Sequence, residues 1–289
     1  MLMTTLEDAV HTFTLSALGL SDDDLDQPWA WQSYDSEGIR FAFFRAFEEL
    51  LELAVRLRTK RAEMDLPLTP AQLILGQFHT AYLNLQHLLL GVNAELAALP
   101  PAEGEWSVRR TLAHIISADI GFYVAIKYAL EQHRARAEGP SKIPDEAWES
   151  LSGLDEASYK ALLDSPFDDL QSYHRTLHTS ILEDFSNIKE QELDILSTYW
   201  EVEAMSVRFR MHRFTSHMSQ HSIQIEKTLD VIGPPITEVN RLLKKVYLGF
   251  SEVGAALIGA WDVGEELRKE TAGTLQQITE EMIKSRDVV

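Results

Sequence analysis

The feature that most constrains this chain is a series of long segments with apolar side chains at helical spacing, each cut off by proline. Phe43, Phe44, Phe47, Leu50, Leu51, Ala54 and Leu57 recur every three or four residues. That pattern predicts an amphipathic helix over 39–64, stopped at Asp65-Leu66-Pro67. Thr69-Pro70 is a helix start, a capping residue followed by a proline whose missing N–H costs nothing in the first turn. Its apolar face, Ile74, Phe78, Ala81, Leu85, Leu88 and Val92, predicts one helix to about Leu99, closed by Pro100-Pro101. Ser107 caps the next start, and that helix is expected to run through His114 to about His133. Two more are predicted over 167–188 and 202–232, the second ended by Gly233-Pro234-Pro235. A short helix over 5–17 and about two more over 236–289 complete the reading. No strand pattern competes with the helical one.

The fold class expected is therefore all-α: a four-helix bundle over 70–233, with an N-terminal helical extension (1–69) and a C-terminal one (234–289). No flexible Gly/Ser linker separates them, so both extensions are expected to pack on the bundle. Residues 134–156, with Gly139, Pro140 and Pro144, read as a long loop with one turn around Trp148. A loop of that length permits either a simple up-and-down bundle or a crossover.

Charge and composition exclude several functions. The formal net charge is −19. A surface that negative repels phosphate backbones, so no nucleic-acid partner is expected. Cysteine is absent, which removes disulfides, thiolate ligands and a cysteine nucleophile; any thiol chemistry must use a thiol from outside the chain. The first twenty residues carry acids and no basic region, unlike a secretory signal. The longest apolar stretch, near 253–261, falls far short of the ~20 residues a membrane span needs. The expectation is a cytoplasmic protein with no membrane partner.

Ten histidines supply the candidate chemistry. His217 and His221 stand four apart, so on a helix they share a face and can hold one ion. The same spacing also arises on solvent faces. It is not a zincin motif, because Met218 stands where that motif has its glutamate. His114 is the third candidate. Its face continues through Ala118, Gly121 and Ala125, small residues that let another helix approach closely. Taken alone, His114 reads better as a core histidine than as a ligand.

Trp106-Ser107, His114-Ile115, His217, His221 and Gln224 together resemble the signature of the DinB/YfiT-like metalloenzymes. The resemblance spans about 70–233. It implies a four-helix bundle in which His114, His217 and His221 form a three-histidine site for a divalent metal. Imidazole suits Zn, Ni, Fe or Cu, and sequence does not choose among them. The resemblance further implies a transferase, isomerase or hydrolase acting on a small molecule, with a low-molecular-weight thiol as a further cofactor, and a homodimer. The alternative is a non-catalytic metal-binding or interaction protein on the same bundle. Two positions depart from the pattern: Arg110 stands where many members have an acid, and Ile223 where glycine is common. Ile223 also separates this chain from the ergothioneine-forming branch, which has a glutamate there.

Arg110 lies four residues before His114, Arg213 four before His217, and Arg210 continues that face. In so acidic a chain, Arg110 and Arg213 are candidate substrate-binding residues for an anionic small molecule. The competing reading is pairing with surface acids. His79, His87, His174 and His178 are expected on the surface. Asp119 and His212 fall off the ligand faces. Glu201 or Glu203 could place an acid near the site, or simply be solvated. Trp29 and Trp31 are expected to cover apolar surface or to lie over the metal cleft.

Overall fold

A computed structural model describes residues 5–31, 37–137, 139–140, 142–199 and 203–286. Val202 and Glu201, invoked in the sequence reading, lie outside them. The eleven helices described are α1 (Leu6–Leu18), α2 (Arg40–Glu63), α3 (Pro70–Leu88), α4 (Ala94–Ala98), α5 (Val108–Arg134), α6 (Asp145–Ser152), α7 (Glu156–Leu163), α8 (Phe167–Phe185), α9 (Val207–Ile232), α10 (Glu238–Leu257) and α11 (Glu265–Arg286). The starts follow from caps. The side chains of Thr69, Ser107, Ser206 and Thr237 each accept a hydrogen bond from a backbone N–H in the first turn, which satisfies a donor the helix cannot.

Three expectations are corrected. The helix starting at Pro70 does not run to Leu99: it ends at Leu88, and Gly91 turns the chain at φ +75°, a conformation that costs glycine nothing. Asn93 then caps the short α4. The stretch 134–156 holds a full helix, α6, and α7 follows directly. Each has eight residues, too few for periodicity to show. Gly153, at φ +70°, is the left-handed cap of α6. Arg109 on α5 donates to the carbonyls of Leu163 and Ser165 and so ties the end of α7 down. Finally, strands exist. β1 (Leu196–Ser197) and β2 (Met205–Ser206) pair antiparallel, Leu196 opposite Ser206. Two residues are too few to alternate visibly.

The chain divides into two compact units, one being Thr69–Pro234 and the other formed by the segments before and after it. In the 69–234 unit, α5 packs on α9 and α8, and α3 packs on the same two. Successive core helices α3 and α5 are thus diagonal, as are α8 and α9. This is a crossed bundle, not an up-and-down one. Phe78, Phe122, Phe185 and Phe214 meet at its centre. Among the described helices only α5 is long and apolar enough to cross a membrane, and 72% of that apolar window is buried inside the protein, as in a core helix.

The other unit brings both chain ends together. The α2 helix packs on α10 and α11, and α1 on the same two. Phe13 of α1 meets Phe43 of α2 edge-on at 5.3 Å. Trp29 is buried against Phe41 and stacked on Trp31, so it covers apolar surface within this unit. Arg61, only 3% exposed, donates to Leu66 O at 2.9 Å, Ala256 O at 3.0 Å and Ile258 O at 2.8 Å. A guanidinium there satisfies the carbonyls that the end of α10 leaves over, at the negative end of its dipole. Arg61→Ala should lower the unfolding free energy by about 3 kcal/mol in urea denaturation, because buried carbonyls lose charged donors. Arg61→Lys should recover only part, lacking the planar fork. A loss below ~1 kcal/mol in the alanine variant would contradict this account.

Candidate metal centre

Ser107 sets the start of α5 and therefore the turn on which His114 points toward α9. Ser206 does the same for α9 and places His217 and His221 opposite. The three histidines come together with their candidate ligand nitrogens all within 4.8 Å of one another. His114 Nε2 and His217 Nε2 are 3.2 Å apart. Two nitrogens at ~2.05 Å from one tetrahedral ion sit about 3.3 Å apart, so this pair stands at the spacing a shared ion needs. His221 Nδ1–H donates to Gln224 Oε1 at 2.9 Å. That bond sets the tautomer and leaves Nε2 with its lone pair free. His217 Nδ1 is buried without a partner, and packing holds this ring instead, with Phe122 edge-on at 5.9 Å. Trp106 stands edge-on to His114 at 5.1 Å and nearly parallel to His221 at 6.5 Å.

Burial favours the neutral imidazole that a metal requires. His217 is 8% exposed. Desolvation, with added repulsion from His221, His114 and Arg213, pushes its pKa down to about 3. Desolvation also lowers His114, with His221 adding to it. His114 is half-buried while His221 is buried, so the triad opens on the His114 side.

Around the triad the structure sorts the other candidates. Arg110 is exposed and lies 4.8 Å from the centre of the Trp106 ring. Arg213 is half-buried, 5.9 Å from the Phe122 ring centre, with Nη1 donating to Ser216 Oγ at 3.3 Å. Arg210 does not join that face. It is fully buried and donates to the hydroxyl and carbonyl of Ser197. Glu203 and His212 are exposed. The small-residue stripe meets a side chain rather than a helix: a Cβ on Gly121 would come within 2.0 Å of the Tyr199 hydroxyl. Tyr199 in turn stacks on Trp148. Sequence reasoning missed this, and it missed the contact of Ser117 Oγ with Tyr159 Oη at 2.6 Å, one turn past His114. Both bring a residue of one element onto another distant in sequence, which no local pattern reports.

The surface reading of the remaining histidines is overturned. His174 is fully buried and His178 is 5% exposed. His174 Nε2 meets Asp119 Oδ2 at 3.2 Å, and that carboxylate is also fully buried, its pKa raised by desolvation. His178 Nε2 meets His79 Nδ1 at 3.3 Å, with the Tyr82 ring stacked on it. His87 is half-buried. The physical reason was available. Leu170, Leu177 and Ile181 flank His174 and His178 at helical spacing, so both histidines share the core face of α8. A cavity of about 360 Å³, lined by Ala125, Gln132, His133, Asp194 and Ser197 among others, is bordered by none of the triad.

The model of the DinB superfamily matches residues 77–225, which include all three triad histidines and just over half of the chain. The chain belongs to the DinB superfamily. No curated protein and no solved structure gives a match. For a DinB-superfamily chain the triad is compatible with metal binding, and the residues present fit an ion: three imidazoles, one oriented by a glutamine, on two helices in contact.

Two outcomes are expected. Gln224→Leu should weaken divalent-metal affinity about 10–100-fold by calorimetric titration without moving the melting temperature, because only the ring's orientation is lost. Burial depresses His79 to a pKa of about 4. The folded pKa lies below the ordinary ~6.5, so this stability is complete above pH 6.5 and fades as pH falls toward 4. Unfolding free energy should drop by about 2 kcal/mol between pH 7 and pH 5 from this group. His79→Phe should shrink the drop; an unchanged slope would contradict it.

Proposed function

We propose that this chain is a divalent-metal-dependent enzyme acting on a small molecule through His114, His217 and His221, as a transferase using a low-molecular-weight thiol or as a hydrolase. The observation that carries the reading is the convergence of three imidazole nitrogens within 4.8 Å on a side where His114 is only half-buried. Three protein ligands leave a coordination position over, which is the layout of catalytic rather than structural sites. A bound divalent ion supplies a Lewis acid and lowers the pKa of a water or thiol toward neutrality. The chain's own residues do the rest. Gln224 orients His221. Phe122 and Trp106 exclude water from two sides of the rings and keep the site at low dielectric. The half-buried Ser117 and Tyr159 put a pair of hydroxyls one turn from His114, placed to hydrogen-bond a substrate.

A second reading, a metal-binding protein without catalysis, draws support from the cavity, which none of the triad lines. The test is metal content of untagged protein, measured beside His217→Ala and His221→Ala with circular dichroism as the fold control. Near-stoichiometric metal in the parent, lost in both folded variants, is expected, followed by turnover in a screen of electrophiles with added thiols. A parent that retains no divalent ion after loading overturns the proposal. Metal without turnover in that screen moves the conclusion to the second reading.

A further inference from the structure

Most described arginines are held by acids or by carbonyls. Arg40, Arg45, Arg56, Arg58, Arg134 and Arg208 form ion pairs with aspartate or glutamate. Arg61, Arg109 and Arg268 donate to backbone carbonyls. Among the described residues, no carboxylate meets Arg110 or Arg213. The exposed Arg136, Arg175 and Arg241 carry no ion pair either, so the lack counts here only through its place. It occurs at two positions that correspond: each arginine lies one turn before a triad histidine, on the two helices that build the site.

Each guanidinium also lies near an aromatic face, Arg110 near Trp106 and Arg213 near Phe122. A ring beneath a guanidinium holds its plane and leaves the N–H edges directed outward. Such an edge suits an oxyanion, which accepts two parallel N–H bonds. Depth separates the two residues. Arg213 is half-buried, one turn before His217 on the same helix. Arg110 is exposed at the rim. Arg210 is already held by Ser197 and is left out.

We propose that the site takes a small substrate bearing an oxyanion, a carboxylate or a phosphoryl group, received by Arg213 beside the triad and met by Arg110 at the rim. This rests on the proposed metal site for the reacting end of the substrate, and on the arginines alone for its anionic end. Two such positive edges give the site a local attraction for anions in an otherwise acidic protein.

The experiment is an anion titration of cobalt(II)-loaded protein, followed by visible absorption, with succinate, methylphosphonate and the neutral succinamide as probes. Succinate or methylphosphonate is expected to bind the parent. Affinity should fall about tenfold in Arg213→Gln and about threefold in Arg110→Gln. Arg213→Lys should recover part, and the exposed Arg175→Gln should change nothing. Binding of succinate alone assigns a carboxylate, and of methylphosphonate alone a phosphoryl group. Absence of anion binding by the parent, equal affinity in a folded Arg213→Gln, or an equal loss for succinamide overturns the proposal. If the protein takes up no cobalt, the metal reading fails by itself. Phosphorus NMR titration of methylphosphonate into metal-free parent and Arg213→Gln then still decides the anion site, an Arg213-dependent affinity supporting it and an indifferent one overturning it.

Discussion

The packing of α5 between α9 and α8 is the constraint on which the rest of the 69–234 unit depends. Few helices in a small bundle carry polar groups toward two neighbours at once. His114 and Asp119 are five residues apart, about 140° around the helix. One therefore faces α9 and completes the triad, while the other faces α8 and meets His174 at 3.2 Å. A small rotation of α5 would break both. The helix is anchored against it by Ser107 at its start and by the aromatic contacts of Phe122 at its middle.

Polar groups inside an apolar core are tolerated only when neutral or partnered. The bundle separates its two polar regions with Phe78, which touches His178 on one side and Phe214 on the other. On the α8 side the rings pair among themselves and with Asp119, and burial keeps His79 and His178 uncharged. On the α9 side three rings each bring a nitrogen within 4.8 Å of the others. The difference is geometric. Three rings and a carboxylate on the α8 side are taken up in two pairs, whereas three rings on the α9 side converge.

Helices with a long apolar face were legible in order and, apart from α3, which stops at Leu88 instead of about Leu99, nearly in extent, because burial imposes periodicity on them and prolines mark several of their ends. The metal residues were legible for a similar reason: a helix that presents two ligands to one ion must space them by a turn. His174 and His178 have that spacing too, and their flanking leucines and isoleucine place them in the core. They were misjudged because a histidine between polar residues looks solvated until its helix face is read as a whole. Eight-residue helices and two-residue strands escaped altogether, being shorter than the patterns that reveal them.

By itself, the sequence determined local geometry: where most helices begin and stop, which face of each is apolar, and that His217, His221 and Gln224 lie on one face of one helix. These depend on φ/ψ preferences and spacing within a few residues. The tertiary structure alone decided which helices touch. It made α3 and α5 diagonal, seated Tyr199 on Gly121, paired Asp119 with His174, drew both chain ends into one unit, and left Arg213 and Arg110 without carboxylates beside the triad. Those outcomes are set by side chains from distant segments competing for the same buried volume, and no periodicity along the chain encodes who wins.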